Sequence, residues 1–287
     1  MSIPSPARST APAARRGARL LVRTNLFVTL GVVGLTWFCA RSMGVVPGLE
    51  LLVTGAGTLL VYNLDHLRDD HRRTRALMGR PLLGGWSRGT LLGAAAVLLG
   101  AGFVLGPPRM FLAALPSGAL GLSYGAALAG RRLKDLPGAK AWIVAFAVTW
   151  AVLALPVARS AGRSAVVSPD LVIFVLALTA LNAHAFDLRD VHNDEATGTW
   201  TWAVRLGPDL ARRRMMGATA VLAVLAAIWQ GLAHAGLATA QIGPESVLTL
   251  SLLLGALAAT RFALSREVFS LLFDGLLLVP AVYLLLT

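Results

Sequence analysis

Charge is scarce in this chain. Of its 287 residues only 14% are Asp, Glu, Lys or Arg, while 56% are hydrophobic and the mean hydropathy is +0.69. A water-soluble domain of this length needs far more polar surface, so that class is excluded and a multi-spanning membrane protein is indicated. Cysteine is almost absent. Cys39 is the single thiol and lies inside an apolar run, which rules out a disulfide framework within the chain and leaves a small core or lipid-facing role. The N-terminal stretch MSIPSPARSTAPAARRGAR lacks any long apolar run and is rich in Pro, Ser, Ala and Arg. It reads as a disordered cytoplasmic tail over 1–22, ahead of a single intramembrane domain over 23–287. The first apolar run continues to spanning length with no small-residue cleavage pattern after it, which argues against a cleaved signal.

What the chain does contain is apolar runs of bilayer length, about 17–25 residues each. Nine can be placed, at 24–41, 46–66, 90–107, 110–129, 141–158, 170–188, 215–233, 245–262 and 268–286. The expected fold is therefore all-α, with nine transmembrane helices around a central cavity. Gly106-Pro107-Pro108-Arg109 alone separates the third run from the fourth and predicts a tight hairpin turn. The formal charge of +12 invites a nucleic-acid reading, but the positions of the charges decide against it. With the N-terminus inside, 22 of the 26 basic residues fall on inner segments, and only Arg41, Arg109, Arg159 and Arg163 fall outside. That asymmetry is the positive-inside pattern and predicts an inner-membrane protein with a cytoplasmic N-terminus.

Two acidic stretches stand out against this background: Asp65-His-Leu-Arg-Asp69 at the end of the second run and Asp187-Leu-Arg-Asp190-Val-His-Asn-Asp194 at the end of the sixth. A carboxylate near the centre of an inserted helix costs roughly 2.5–3.5 kcal/mol. Four runs separate the two stretches, an even number, so both emerge on the cytoplasmic face. The loop with Arg131, Arg132, Lys134 and Lys140 opens on that face too. Asp65 and Asp69 are spaced i, i+4, and Asp187, Asp190 and Asp194 are spaced i, i+3, i+7, so each set lies along one helical face. Like charges so placed destabilise a bare helix by about 0.2–0.5 kcal/mol per pair, and a bound cation reverses the sign. Oxygen-only ligands suit magnesium, which commonly reaches its site with a phosphorylated substrate. The plainer alternative has these acids paired in water with Arg68, Arg72 and Arg189. Asp65 and Asp190 hold equivalent places four helices apart, a topological hint of two quasi-repeated four-helix halves plus one added helix.

At these residues the chain resembles the UbiA-type intramembrane prenyltransferase superfamily. The run from Asp187, Asp190 and Asp194 into Gly198, Thr201 and Arg205-Leu-Gly207 is similar to that family's second motif and its tail. Arg80-Pro81-Leu82 resembles the Arg-Pro-Leu after the first motif. Tyr124 followed by Arg132-Leu-Lys134-Asp135-Leu-Pro137-Gly138 resembles the Tyr and Lys-rich loop. The first motif departs from the pattern. Val61 and Tyr62 stand where the family has Asn and Asp, and Asn63 is displaced by two positions, so the first site holds fewer carboxylates or engages magnesium only with diphosphate.

The resemblance implies an enzyme that moves a prenyl group from a prenyl diphosphate to a lipophilic, usually aromatic acceptor and releases diphosphate. Asp65, Asp69, Asp187, Asp190 and Asp194 would hold Mg2+. Tyr62, Asn63, Arg72, Arg80, Tyr124, Lys134 and His184 would contact substrate, with Arg132 or Lys140 as further cations. Its expected partners are prenyl diphosphate, acceptor and membrane lipid, with no nucleic acid. Asn182 reads as an interhelical hydrogen-bonding residue, Trp200 and Trp202 as interface anchors, and Asp274, mid-way along the last run, as an acid in need of a partner. Two rival readings stay open: an intramembrane terpene cyclase needing no acceptor, and a transporter with an acidic cytoplasmic mouth.

Overall fold

The computed structural model describes residues 13–77, 85–128, 131–160, 165–262 and 264–287, the side chains of 69–77 and a few others at segment ends excepted. Twelve α-helices account for nearly all of it: α1 (Ala13–Arg23), α2 (Leu26–Ser42), α3 (Leu49–Leu77), α4 (Gly85–Leu105), α5 (Pro108–Tyr124), α6 (Ala139–Arg159), α7 (Pro169–Thr197), α8 (Trp202–Leu206), α9 (Pro208–His234), α10 (Pro244–Ala259), α11 (Arg266–Leu276) and α12 (Val279–Leu286). Between α5 and α6 lies a two-residue antiparallel hairpin, Ala127–Leu128 against Arg131–Arg132, followed by a 3-10 turn at Leu133–Asp135.

The nine apolar runs fall mainly on helices, the fourth running past the end of α5 at Tyr124, and the helices are not alike. Among the described residues α4, α6, α7 and α9 are long and apolar enough to cross a bilayer. Counting the bent pairs α1–α2 (71°) and α11–α12 (53°) as one span each gives six. The protein is thus an all-α, multi-pass membrane protein. Helices α5 and α10 stop at 17 and 16 residues, and α3 mixes its apolar length with charges at both ends. The first bend turns on Asn25, which adopts a left-handed backbone at φ 60° between α1 and α2. The predicted hairpin turn is there: α4 ends at Leu105 and α5 starts at Pro108, whose missing N–H costs nothing at a helix start.

The packed centre is built from α2, α6, α7, α10, α11 and α12, with Leu35, Phe38, Cys39, Val152, Leu178, Leu253 and Phe273 wholly buried. Cys39 is therefore a core thiol, one of the two roles expected of it. Helices α4 and α9 show the opposite character. Val97 and Val104 on α4, and Val221, Val224 and Ile228 on α9, are exposed apolar side chains on helices of spanning length, as lipid contact requires.

Helix ends place the acidic stretches. Ser168 caps the start of α7 through its hydroxyl to the Leu171 N–H, with Pro169 in the first turn. Gly198, at φ 68°, ends it: the Gly198 N–H donates to the Glu195 carbonyl at 3.1 Å and the Thr199 N–H to the Asp194 carbonyl at 2.8 Å. This is a Schellman termination, which needs a residue free to be left-handed just past the last turn. Asp194 is thereby held in the final turn of α7, at the negative end of the helix dipole, where a cation is favoured.

Candidate active site at the helix ends

Two lysines from one connection meet the two acidic stretches. The Lys134 ammonium, from the 3-10 turn, donates to both carboxylate oxygens of Asp65 on α3, at 2.8 and 3.1 Å. The Lys140 ammonium, from the first turn of α6, bridges Asp187 at 3.1 Å and Asp194 at 2.7 Å on α7. Sixty-nine and 54 residues of sequence are spanned by these contacts, so they are products of the tertiary fold. Tyr124, the last residue of α5, lies between the groups. Its ring sits under Lys134, 5.4 Å from ammonium to centroid, and its hydroxyl feels the charges of Asp65, Asp187 and Asp194 and lies near Tyr62. Tyr124 is thus within electrostatic reach of carboxylates from both acidic stretches.

Small residues make this approach possible. Gly125 follows Tyr124 and presses so closely on Asp65 that a Cβ there would collide with Asp65 Oδ1. Gly138, at φ 69°, starts α6 and donates its N–H to the Trp200 carbonyl at 2.8 Å. Thr199 reaches Asp135 with its hydroxyl at 3.5 Å. The lysine-bearing connection is thus tied to the segment that follows α7. Trp200 and Trp202 are exposed, as interface anchors would be, but Trp202 has a second contact: its ring lies 5.4 Å from that of His184.

The third acid of the α7 stripe is engaged differently. Asp190 takes a two-pronged pair from its neighbour Arg189 at 2.9 and 2.8 Å, while Lys140 acts on it only through space. Arg189 also donates to Ser270 at 3.0 Å and lies over the rings of Phe186 and Phe269, at 4.6 and 5.8 Å. A planar guanidinium suits such a stacked, bidentate setting. Its position fixes α7 against α11. The buried Asp274 has the Asn182 side chain as its hydrogen-bond partner, and the Arg189 guanidinium acts on it through space. Asn182 thus has the interhelical role expected of it, while Tyr62 lies near both Asp274 and Asp65.

Of the other expected site residues, His184 faces Asp187, Nδ1 to Oδ2 at 3.6 Å, and is flanked by Trp142 and Trp202. Asn63 turns away from the group. It is wholly buried and donates to the Thr24 and Leu59 carbonyls, at 3.1 and 2.9 Å, which ties α3 to the bend between α1 and α2. The side chains of Asp69, Arg72, Arg80 and Arg132 lie outside the described residues. Sequence reading gave no role to Gly125, paired Arg189 only with nearby acids in water, and offered Lys140 merely as an alternative cation. Only the short Gly-x-x run after Tyr124 and the Arg-Asp adjacency hinted at more.

Among the described residues no three His, Cys, Asp or Glu side chains lie close enough together to hold a metal ion by themselves. The donor set nevertheless fits a hard divalent cation. It is all oxygen, and the Lys140 ammonium already occupies a cation's position between two carboxylates. One or two carboxylates per ion, completed by water and phosphate oxygens, is the usual way magnesium is held.

No protein-family model matches the sequence, and no curated protein is detectably similar to it. Solved structures are similar in fold. The apo structure of a UbiA homolog from Aeropyrum pernix superposes with a TM-score of 0.66 at 16% identity, over 90% of this chain and 97% of that one. A UbiA homolog from Archaeoglobus fulgidus bound to GPP and Mg2+ gives 0.59 at 18% identity, over 94% and 95%. A digeranylgeranylglyceryl phosphate synthase structure gives 0.53 at 12% identity, over 93% and 96%. The chain thus has the UbiA fold along nearly its whole length.

Proposed function

We propose that this protein is a magnesium-dependent intramembrane prenyltransferase, which transfers a prenyl group from a prenyl diphosphate to a lipophilic, aromatic acceptor and releases diphosphate. The observation that carries the reading is the meeting of Asp65 with Lys134, and of Asp187 and Asp194 with Lys140, around Tyr124. The fold shared with a UbiA homolog bound to GPP and Mg2+ supports it. In this reading the nine apolar runs all cross the bilayer, residues 23–287 form one domain behind the tail 1–22, and the pocket opens to the cytoplasm beside the basic loops.

Asp65, Asp69, Asp187, Asp190 and Asp194 would hold magnesium. When bound, the ion supplies Lewis-acid stabilisation of the charge that builds on the leaving diphosphate. Lys134 and Lys140 bind the diphosphate oxygens at the same mouth, with Arg72 and Arg80 as further cations. As the carbon–oxygen bond to diphosphate breaks, the allylic carbon becomes positive. The faces of Tyr124 and Tyr62 stabilise it and exclude water from it. The acceptor's electron pair forms the new carbon–carbon bond, and its ring proton leaves to water or diphosphate. His184, between Trp142 and Trp202, lines the acceptor's approach.

The test is diphosphate release by the purified protein with Mg2+ on dimethylallyl, geranyl, farnesyl and geranylgeranyl diphosphates, each with and without aromatic acceptors. Release that requires acceptor is expected, and Asp65→Ala or Asp190→Ala abolishes it in folded protein. Full activity in both variants overturns the site. A cyclic hydrocarbon formed without acceptor overturns the transferase in favour of a cyclase.

A further inference from the structure

We infer that Lys134 and Lys140 are displaceable counter-cations: they compete with divalent metal for the same carboxylate oxygens, and an incoming diphosphate, by drawing both ammonium groups to itself, opens those oxygens to metal. The inference rests on the proposed diphosphate chemistry and adds an order of events to it. Metal enters with, or after, the phosphorylated substrate.

Three features of the structure carry it. The lysines occupy oxygens rather than merely lying near them, with Lys134 on both oxygens of Asp65 and Lys140 on both oxygens of Asp194 and on Oδ1 of Asp187. A divalent ion needs those same lone pairs. The charges also do not balance at α7. One ammonium between two carboxylates leaves a net negative charge, so the pair retains an attraction for a second positive charge, which a divalent ion in place of the lysine supplies. Finally, backbone and side chain differ in freedom. The connection is strapped to the end of α7 through Gly138 to Trp200 and Thr199 to Asp135, whereas each ammonium ends a flexible four-carbon stem. The lysines can therefore swing while the loop stays in place. Arg189 is the contrast: bidentate on Asp190, bonded to Ser270 and stacked on two rings, it is fixed. The lysine exchange belongs to Asp65, Asp187 and Asp194, whereas Asp190 keeps its arginine and offers metal the lone pairs that Arg189 leaves.

The experiment uses Mn2+ alone as the probe. Its binding to the purified full chain in detergent is read from the loss of the free-ion paramagnetic resonance signal. Lys140→Met keeps the apolar stem and removes the competitor, and Mn2+ binding is expected to tighten by about tenfold or more, between the scales of surface and buried ion pairs. Lys140→Arg keeps a cation in place, and its Mn2+ affinity is expected to stay within about twofold of the unaltered protein. Lys134→Met makes the same test at Asp65 and decides the matter if Lys140→Met fails to give monodisperse protein. Tightening in a Met variant, absent in Lys140→Arg, supports the exchange. Folded Met variants that bind Mn2+ no better than the unaltered protein overturn it. The proposed function fails separately: an unaltered protein that never releases diphosphate loses that reading, whatever the Mn2+ titrations show.

Discussion

Replacing Gly125 by alanine exchanges one hydrogen for a methyl group, yet it tests the central contact directly. The backbone at Gly125 is ordinary for an L-residue, φ −97° and ψ −5°, so alanine brings no conformational strain. What it brings is collision. The new methyl lands on Asp65 Oδ1, 3.4 Å from Asp65 Cγ and 3.6 Å from Arg68 Cδ. The clash is with Asp65 alone, which yields by rotating its carboxylate off Lys134, while Arg68 Cδ is at ordinary contact distance. Overpacking of this kind typically costs about 1–3 kcal/mol. If the carboxylate works in the position shown, the cost falls on the transition state, and kcat/KM for prenyl diphosphate drops by about 5- to 150-fold. Diphosphate release at saturating Mg2+ measures it, with thermal unfolding in detergent run beside it. Gly217→Ala is the control, since a Cβ there meets nothing within 4 Å. It is expected to keep full activity. Activity of Gly125→Ala equal to that of the control refutes the role given to Asp65. Activity lost only in step with folded protein refutes it as well.

Glu50→Gln removes the charge that meets Arg159 at the far end of α3 from Asp65. Glu50 is wholly buried and also accepts the Gly48 N–H at 2.8 Å. An uncompensated arginine there costs about 2–4 kcal/mol, seen as a lower unfolding midpoint, with kcat of the folded fraction unchanged. Arg189→Met strips Asp190 and Asp274 of their shared cation and frees α11 from α7. Stability falls by about 2–4 kcal/mol and diphosphate release falls too, whereas Arg189→Lys restores stability only partly because a single ammonium cannot replace a two-pronged, stacked guanidinium. Chelation of divalent metal stops diphosphate release and added Mg2+ restores it, and release that persists in excess chelator removes the metal from the reaction.

The order of apolar runs and the hairpin turn at Gly106-Pro107-Pro108 were legible in the sequence, because hydrophobic length and proline act within a few residues of chain. So was the spacing that sets Asp187 and Asp194 on one face of α7. Which cation meets which acid was not. Asp65 finds Lys134 across 69 residues and Asp194 finds Lys140 across 54, while Asp190 turns to the arginine beside it. Nor does any local pattern distinguish Asn63, turned toward Thr24 and Leu59, from a pocket residue one helical turn away. Periodicity gives the face of a helix but not what that face meets. That is settled by how the helices pack, and here by a glycine small enough to let Asp65 through.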